Sequence, residues 1–345
     1  MIRRLRLVVV LARPAVMLLL GLFTATGLAE AGHGNDTMLL IKALAAVLGF
    51  LLFSVTCNDL ADEAIDRVNL PGQRPLVTGA ASRREFTVIG LTSGVAAVAA
   101  SATLRWPAAA VTAAGLAVSA GYSLRPVRLA DRGAVASLVL PACYVAVPYL
   151  TGLFAARASV TPRDLLLLAG LYIAFIGRIL LKDFRDVRGD ALFGKRTFLV
   201  RRGREWTCAF STCCWLAGTA VILAALPSPG TGLLITEFAC LVAALALLAS
   251  LARSTCARWD ESLISAIAIT GRGMVLLVLA HLTLSGHSAG VPGHLAGHGP
   301  GYLVVLAVIC VLTLGPAATM AAYGPISRLT APAVAPQRPR AMTPR

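Results

Sequence analysis

The chain has 345 residues, is 57% hydrophobic and only 14% charged, and has a mean hydropathy of +0.79. A soluble domain carries about 25% charged residues, so this composition excludes an ordinary soluble enzyme and points to repeated membrane-spanning helices. The net charge of +15 lies in arginines of the connecting loops, where it sets topology, so no nucleic-acid partner is expected.

The opening segment, MIRRLRLVVVLARPAV, has the look of a signal peptide. Its apolar run continues to Ala29 with no convincing small-residue cleavage site, so it is read as a retained first span. Apolar runs and their breakers place spans at 14–31, 37–57, 86–104, 107–122, 134–156, 164–182, 206–226, 232–252 and 262–285, with a tenth candidate at 301–322. The expected fold class is all-α, a polytopic membrane helix bundle. No long polar linker interrupts it, so residues 1–325 form one domain. The Pro- and Arg-rich tail, 326–345, has nothing to build a core and reads as disordered and cytoplasmic.

The loops alternate in charge. One side carries Arg3, Arg4 and Arg6, then Arg67, Arg74, Arg83 and Arg84, then Arg125, Arg128 and Arg132. The same side carries the cations from Lys182 to Arg204, and Arg253 and Arg258. The other side carries Arg105, Arg157 and Arg163. This asymmetry predicts a multi-pass protein of the cell membrane with the richly basic side in the cytoplasm. The eight cysteines sit in or beside apolar runs without a CxxC pair and read as small packing residues.

Six of the ten aspartates fall in two short stretches, NDLADEAID from Asn58 to Asp66 and DFRDVRGD from Asp183 to Asp190. Asp59, Asp62 and Asp66 stand at i, i+3 and i+7, and Asp183, Asp186 and Asp190 repeat that spacing. On a helix these positions share one face. Three like charges on one face repel unless a cation compensates, and oxygen-only ligands shared with a phosphorylated substrate point to Mg²⁺. Asn58 adds a neutral oxygen on the face of Asp62. A solvated acidic helix end would account for one such stretch. It does not account for two of identical spacing, both at the basic-loop ends of even-numbered spans.

Cations flank both stretches: Arg74 after the first, Lys182 before and Lys195 after the second, and Arg125 and Arg128 beside Tyr122 in YSLRPVRLADRG between them. Carboxylates and cations around one site suit a diphosphate bridged by metal, although any single arginine could instead serve topology or a lipid headgroup.

NDLADEAID resembles the NDxxDxxxD motif of the UbiA-type intramembrane prenyltransferases, and DFRDVRGD resembles their DxxDxxxD motif. RVNLPGQRPLVTG, YSLRPVRL and KDFRDVRGDALFGKRTF are similar to segments of the chlorophyll-synthase and geranylgeranylglyceryl-phosphate branches, and the resemblance covers roughly residues 10–285. It implies nine transmembrane helices around a central cavity, whereas the sequence offers ten candidates. It also implies Mg²⁺-dependent transfer of a prenyl group from a prenyl diphosphate to a lipophilic or aromatic acceptor. In that scheme Asn58, Asp59, Asp62 and Asp66 hold one metal, and Asp183, Asp186 and Asp190 the other. Arg74, Arg125, Arg128, Lys182 and Lys195 are candidates for the phosphates, and Tyr122 for a hydroxyl near the prenyl cation or the leaving group, if it is not simply an interfacial anchor. Arg13 could meet an acidic acceptor, though a topological arginine explains it as well. A terpene cyclase needs the same aspartates but no second substrate. A cation transporter would instead spread charge along a path through the membrane.

Two features fall outside this scheme. His281, His287, His294 and His298 cluster in one glycine-rich stretch whose spacing fits no metal-site pattern. Arg272 stands between Gly271 and Gly273 inside the ninth span; it either lines the cavity or ends a shorter helix, the glycines favour a local break, and the sequence does not decide between the two.

Overall fold

A computed structural model describes residues 2–70, 72–194, 197–284 and 299–324, and among them every element is helical. The tail 326–345, Lys195 and three of the clustered histidines, His287, His294 and His298, lie outside the described residues. In chain order the helices are α1 (Ile2–Leu11), α2 (Pro14–Glu30), α3 (Thr37–Ala61), α4 (Glu63–Asn69), α5 (Arg83–Ala102) and α6 (Trp106–Ser123). They continue as α7 (Ala134–Pro141), α8 (Val147–Ala156), α9 (Pro162–Leu180), α10 (Asp183–Leu192), α11 (Phe198–Ala225), α12 (Thr231–Arg253), α13 (Ala257–Leu284) and α14 (Pro300–Tyr323).

Eight of the described helical segments are long and apolar enough to cross a membrane, and the bent pair α1–α2 adds a ninth if it counts as one span. α6 fills the span expected at 107–122 as an alanine-rich helix of 18 residues but is not among those eight. α7 and α8 form one pass, with a π-helical turn at Ala142–Ala146 after Pro141 removes a backbone donor.

Helix starts follow from local chemistry. The Asp36 side chain accepts from the Leu39 N–H at 3.0 Å and caps α3. Ser82 with Glu85, and Thr161 with Asp164, form reciprocal capping boxes on α5 and α9. In α11 the run breaks at Gly203 (φ 80°), so the membrane pass proper starts beyond it.

With little hydrophobic drive inside lipid, helix packing relies on close approach at small residues. Gly27 on α2 and Gly152 on α8 face each other's backbones: a Cβ on Gly27 would lie 2.0 Å from the Tyr149 carbonyl oxygen, and one on Gly152 2.0 Å from that of Thr24. The same logic decides between the two readings left open at Arg272 as to the helix break. α13 runs unbroken through it, and its two flanking glycines make room for neighbours, Gly271 for the Trp215 ring and Gly273 for the Thr313 side chain. The main buried cluster gathers Phe23, Tyr149, Leu171, Phe175, Trp215, Leu241 and Ile267 from α2, α8, α9 and α11–α13.

The chain's up-and-down course brings the ends of α3, α6, α9 and α12 to one face, with the short helices α4 and α10 lying across it. This is the cap face. At the opposite face Arg163 pairs with Glu30 at 3.1 Å and Arg157 pairs with the buried Asp164. Also at the opposite face, His281 holds the Tyr302 hydroxyl at 2.9 Å through Nδ1 and the Pro227 carbonyl at 3.0 Å through Nε2, which ties α13 to α14. That histidine is a packing residue.

Candidate active site

The two aspartate stretches are built differently. DFRDVRGD is one continuous helical stretch in α10. NDLADEAID is split: Asn58 and Asp59 close α3, Asp62 stands at the break, and Asp66 lies on α4. The Asp62 N–H still donates to the Asn58 carbonyl and the Asp66 N–H to the Asp62 carbonyl, both at 2.8 Å. The i, i+4 progression therefore survives the kink. α4 packs against α10, so the two stretches meet across the cap face.

The carboxylates are buried to an unusual degree: Asp59 is 2% exposed, Asp66 8%, Asp183 6% and Asp190 5%. Charges this deep need partners. Three arginines supply them on the first stretch. Arg13 donates Nη2 to Asp59 Oδ1 at 2.7 Å. Arg74 lies between two acids, with Nη1 3.9 Å from Asp59 Oδ2 and Nε 3.4 Å from Asp66 Oδ2. Arg128 donates Nη2 to Asp62 Oδ1 at 2.8 Å, Nη1 to the Ala61 carbonyl at 3.2 Å and Nε to Asp131 at 2.6 Å.

Arg13 (φ 44°) and Arg128 (φ 37°) are two of only three described non-glycine residues with left-handed backbone. Such a conformation costs about 1–3 kcal/mol and persists only where the surroundings demand it. Here the demand is the turn that brings each guanidinium onto its aspartate. Burial pushes the Asp66 carboxyl up to about 6, with Arg74 opposing and the neighbouring Asp59 and Asp62 reinforcing the rise.

The other candidate residues are distributed unevenly. Tyr122 is 7% exposed at the end of α6, where Lys182, Asp183 and Asp62 contribute to its electrostatic surroundings. Lys182 is exposed beside Asp183. Asn58 is half-buried at the end of α3. Arg125 is exposed on the loop after α6, and no described contact brings it to the aspartates. Asp186 stands on α10 between Asp183 and Asp190. Arg185 turns the other way, to Ser265 on α13 at 3.1 Å. Below α10, Arg204 forks onto Asp260 at 2.8 and 2.7 Å and lies over the Phe184 ring at 4.9 Å, which fixes α10 against α11 and α13.

Sequence reasoning missed two residues. Arg178, on the turn of α9 before the second stretch, lies over the Phe175 ring at 5.5 Å. Glu237 is 2% exposed in the middle of α12. The signal for both was a single charge inside an apolar run, GRIL and TEFA.

Among the described residues no three metal-binding side chains already converge as a cage. The donor chemistry nevertheless suits magnesium. Mg²⁺ binds through one or two carboxylates, keeps several waters and shares substrate phosphates, and it does not require an all-protein cage. Buried carboxylates on two packed helices, with arginines beside them, have the donor chemistry that a polyanion bridged by hard metal ions would require.

Comparison with known proteins agrees with this geometry. Residues 18–267 match the family described as the UbiA prenyltransferase family, and the chain belongs to it. It is 32% identical over 168 residues to a chlorophyll synthase of Oryza sativa subsp. japonica, an alignment covering 45% of this chain and 44% of that protein. It is 33% identical over 169 residues to a digeranylgeranylglyceryl phosphate synthase of Methanoculleus marisnigri, covering 48% and 58%. The chain thus spans about half the length of these curated relatives. A solved UbiA homolog from Archaeoglobus fulgidus bound to DMAPP and Mg²⁺ shares the fold, with a TM-score of 0.53 at 17% identity over 92% of this chain and 99% of that one. The protein is therefore an integral membrane protein of this fold.

Proposed function

We propose that the protein transfers a prenyl group from a prenyl diphosphate to a lipophilic or aromatic acceptor within the membrane, releasing diphosphate. The observation that carries this reading is the meeting of α4 with α10, which sets two buried carboxylate sets against each other at the end of an apolar bundle. Bound Mg²⁺ would neutralise the diphosphate and favour cleavage of the allylic C1–O bond. Asn58, Asp59, Asp62 and Asp66 would hold one ion, and Asp183, Asp186 and Asp190 the other.

The chain's own residues account for the rest. Arg74 and Arg128 are held at the mouth of the site, where substrate phosphates and the aspartates compete for their donors. Lys182 adds positive charge beside Asp183, and Arg125 and Lys195 remain phosphate candidates from their sequence positions. Tyr122, buried at the end of α6, is the candidate for a hydroxyl near the reacting carbon or the leaving oxygen. The apolar walls below exclude water from the prenyl cation until the acceptor attacks C1. The cap face lies in the cytoplasm, as the loop arginines require.

The test uses the full chain in detergent with Mg²⁺ and geranyl, farnesyl or geranylgeranyl diphosphate, with and without an extract of host small molecules. Diphosphate release that needs the extract, with a prenylated product, supports the transferase. Release without extract, giving a hydrocarbon or alcohol, replaces it with a terpene cyclase. No release from folded protein under any condition refutes both.

A further inference from the structure

We propose that the crevice between α2, α9, α11, α12 and α13 binds the hydroxyl or carbonyl oxygen of a slender, chain-like apolar ligand. The proposal rests on the prenyl-transfer reading only for the nature of the ligand's body.

The crevice is walled by Phe23, Leu171, Phe175 and Met274, yet four polar side chains also line it: Arg178, Trp215, Thr219 and Glu237. Glu237 is 2% exposed, Trp215 3% and Thr219 4%. Arg178 Nε, Trp215 Nε1, Thr219 Oγ1 and Glu237 Oε1 are all buried without a hydrogen-bond partner. Several buried threonines elsewhere in the bundle satisfy themselves on the preceding turn, although Thr112 on α6 does not. Thr151 donates to the Val147 carbonyl at 2.7 Å, Thr207 to that of Gly203 at 2.7 Å and Thr270 to that of Ala266 at 3.0 Å. Thr219 makes no such bond. Inside a membrane each unpaired group is costly, and four around one crevice are a strong preference for an oxygen-bearing guest.

Shape restricts the guest further. The crevice has a volume of about 40 Å³. That admits a hydroxyl or carbonyl with a few carbons, or about three waters. It does not admit a macrocycle. A short hydrocarbon segment fits but leaves all four polar groups unpaired. Arg178 lies little more than a turn before Asp183, whereas Glu237 lies within two turns of the opposite end of α12. The crevice therefore runs from beneath the cap toward the opposite face. A ligand reacting at the cap would place a remote oxygen near Thr219 and Glu237. Such an oxygen belongs either to the far end of an oxidised prenyl chain or to a chain-bearing phenolic acceptor.

Equilibrium binding to the purified full chain in detergent tests this, without Mg²⁺ or diphosphate. The probes are a geranylgeranyl hydrocarbon, the same hydrocarbon carrying one hydroxyl at its far (ω) end, and a phenol carrying an alkyl chain of matched length. The wild type should bind an oxygenated probe at least about tenfold more tightly than the hydrocarbon. Thr219→Val and Glu237→Leu should erase that preference without weakening hydrocarbon binding, and the isosteric Glu237→Gln should keep part of it, which separates recognition from folding. Stronger binding of the alcohol assigns the oxygen to the prenyl chain; stronger binding of the phenol assigns it to the acceptor. Equal affinities in the wild type, or a preference that survives both substitutions, would overturn the proposal and leave a water-filled void only. Because no diphosphate is present, this outcome is read independently of whether the protein releases diphosphate.

Discussion

At the residue scale the site is a contest for carboxylates. Asp59, Asp62 and Asp66 are each held by an arginine, and two of those arginines sit on strained backbone to reach them. Removing one partner of a buried pair costs about 3–5 kcal/mol, because the other charge stays buried and unpaired. Arg13 is 25% exposed, so Arg13→Ala should fall at or below the low end of that range. If the aspartates take Mg²⁺, millimolar Mg²⁺ should restore most of the melting temperature lost in Arg13→Ala and shift the wild type less. Thermal unfolding with and without the ion checks this, and equal shifts would argue against Asp59 as a metal ligand. The residue types of the site were legible in the sequence because two identical acidic spacings are hard to explain otherwise. Their partners were not. Arg13 precedes Asp59 by 46 positions, and nothing local distinguishes it from a topological arginine.

At the element scale the bundle depends on close helix contacts that apolar patterning does not reveal. α2 and α8 touch backbone to backbone at Gly27 and Gly152. Gly152→Val should separate the two helices and cost at least about 1–3 kcal/mol, read as loss of monodisperse protein in detergent or a lower melting temperature. Gly315→Ala, whose new methyl meets nothing within 4 Å, should leave both unchanged. The drafted spans all coincide with helices, since long apolar runs bounded by glycine, proline and charge are strong signals. Two details were not legible. The kink at Asp62 arises where α3 leaves the apolar layer, and α13 passes straight through Gly271–Arg272–Gly273 because Trp215 and Thr313 occupy the space that side chains would take. Both are tertiary effects that override local preference.

At the scale of the whole molecule, charge and chemistry share one face. Every aspartate of the two stretches lies at the cap, together with the loops richest in arginine. The orientation is testable through Cys256, which is exposed on the cap side between α12 and α13. A membrane-impermeant thiol reagent should label it in inside-out vesicles and not in intact cells. The reverse pattern would place the cap outside and contradict the positive-inside reading. The acceptor is not legible at this scale for a physical reason: in the proposed reaction the aspartate stretches would meet the diphosphate end, whereas acceptor choice would depend on side chains scattered over several helices.

The most direct test of the account is diphosphate release as a function of Mg²⁺ in the wild type, Asp59→Ala and Asp183→Ala, each confirmed as folded. If the two stretches act as one site, release should rise with Mg²⁺ in the wild type and fall by at least about a hundredfold in both variants, the scale expected when an electrostatic element of a site is removed. Full release in either variant, or release indifferent to Mg²⁺, would contradict it.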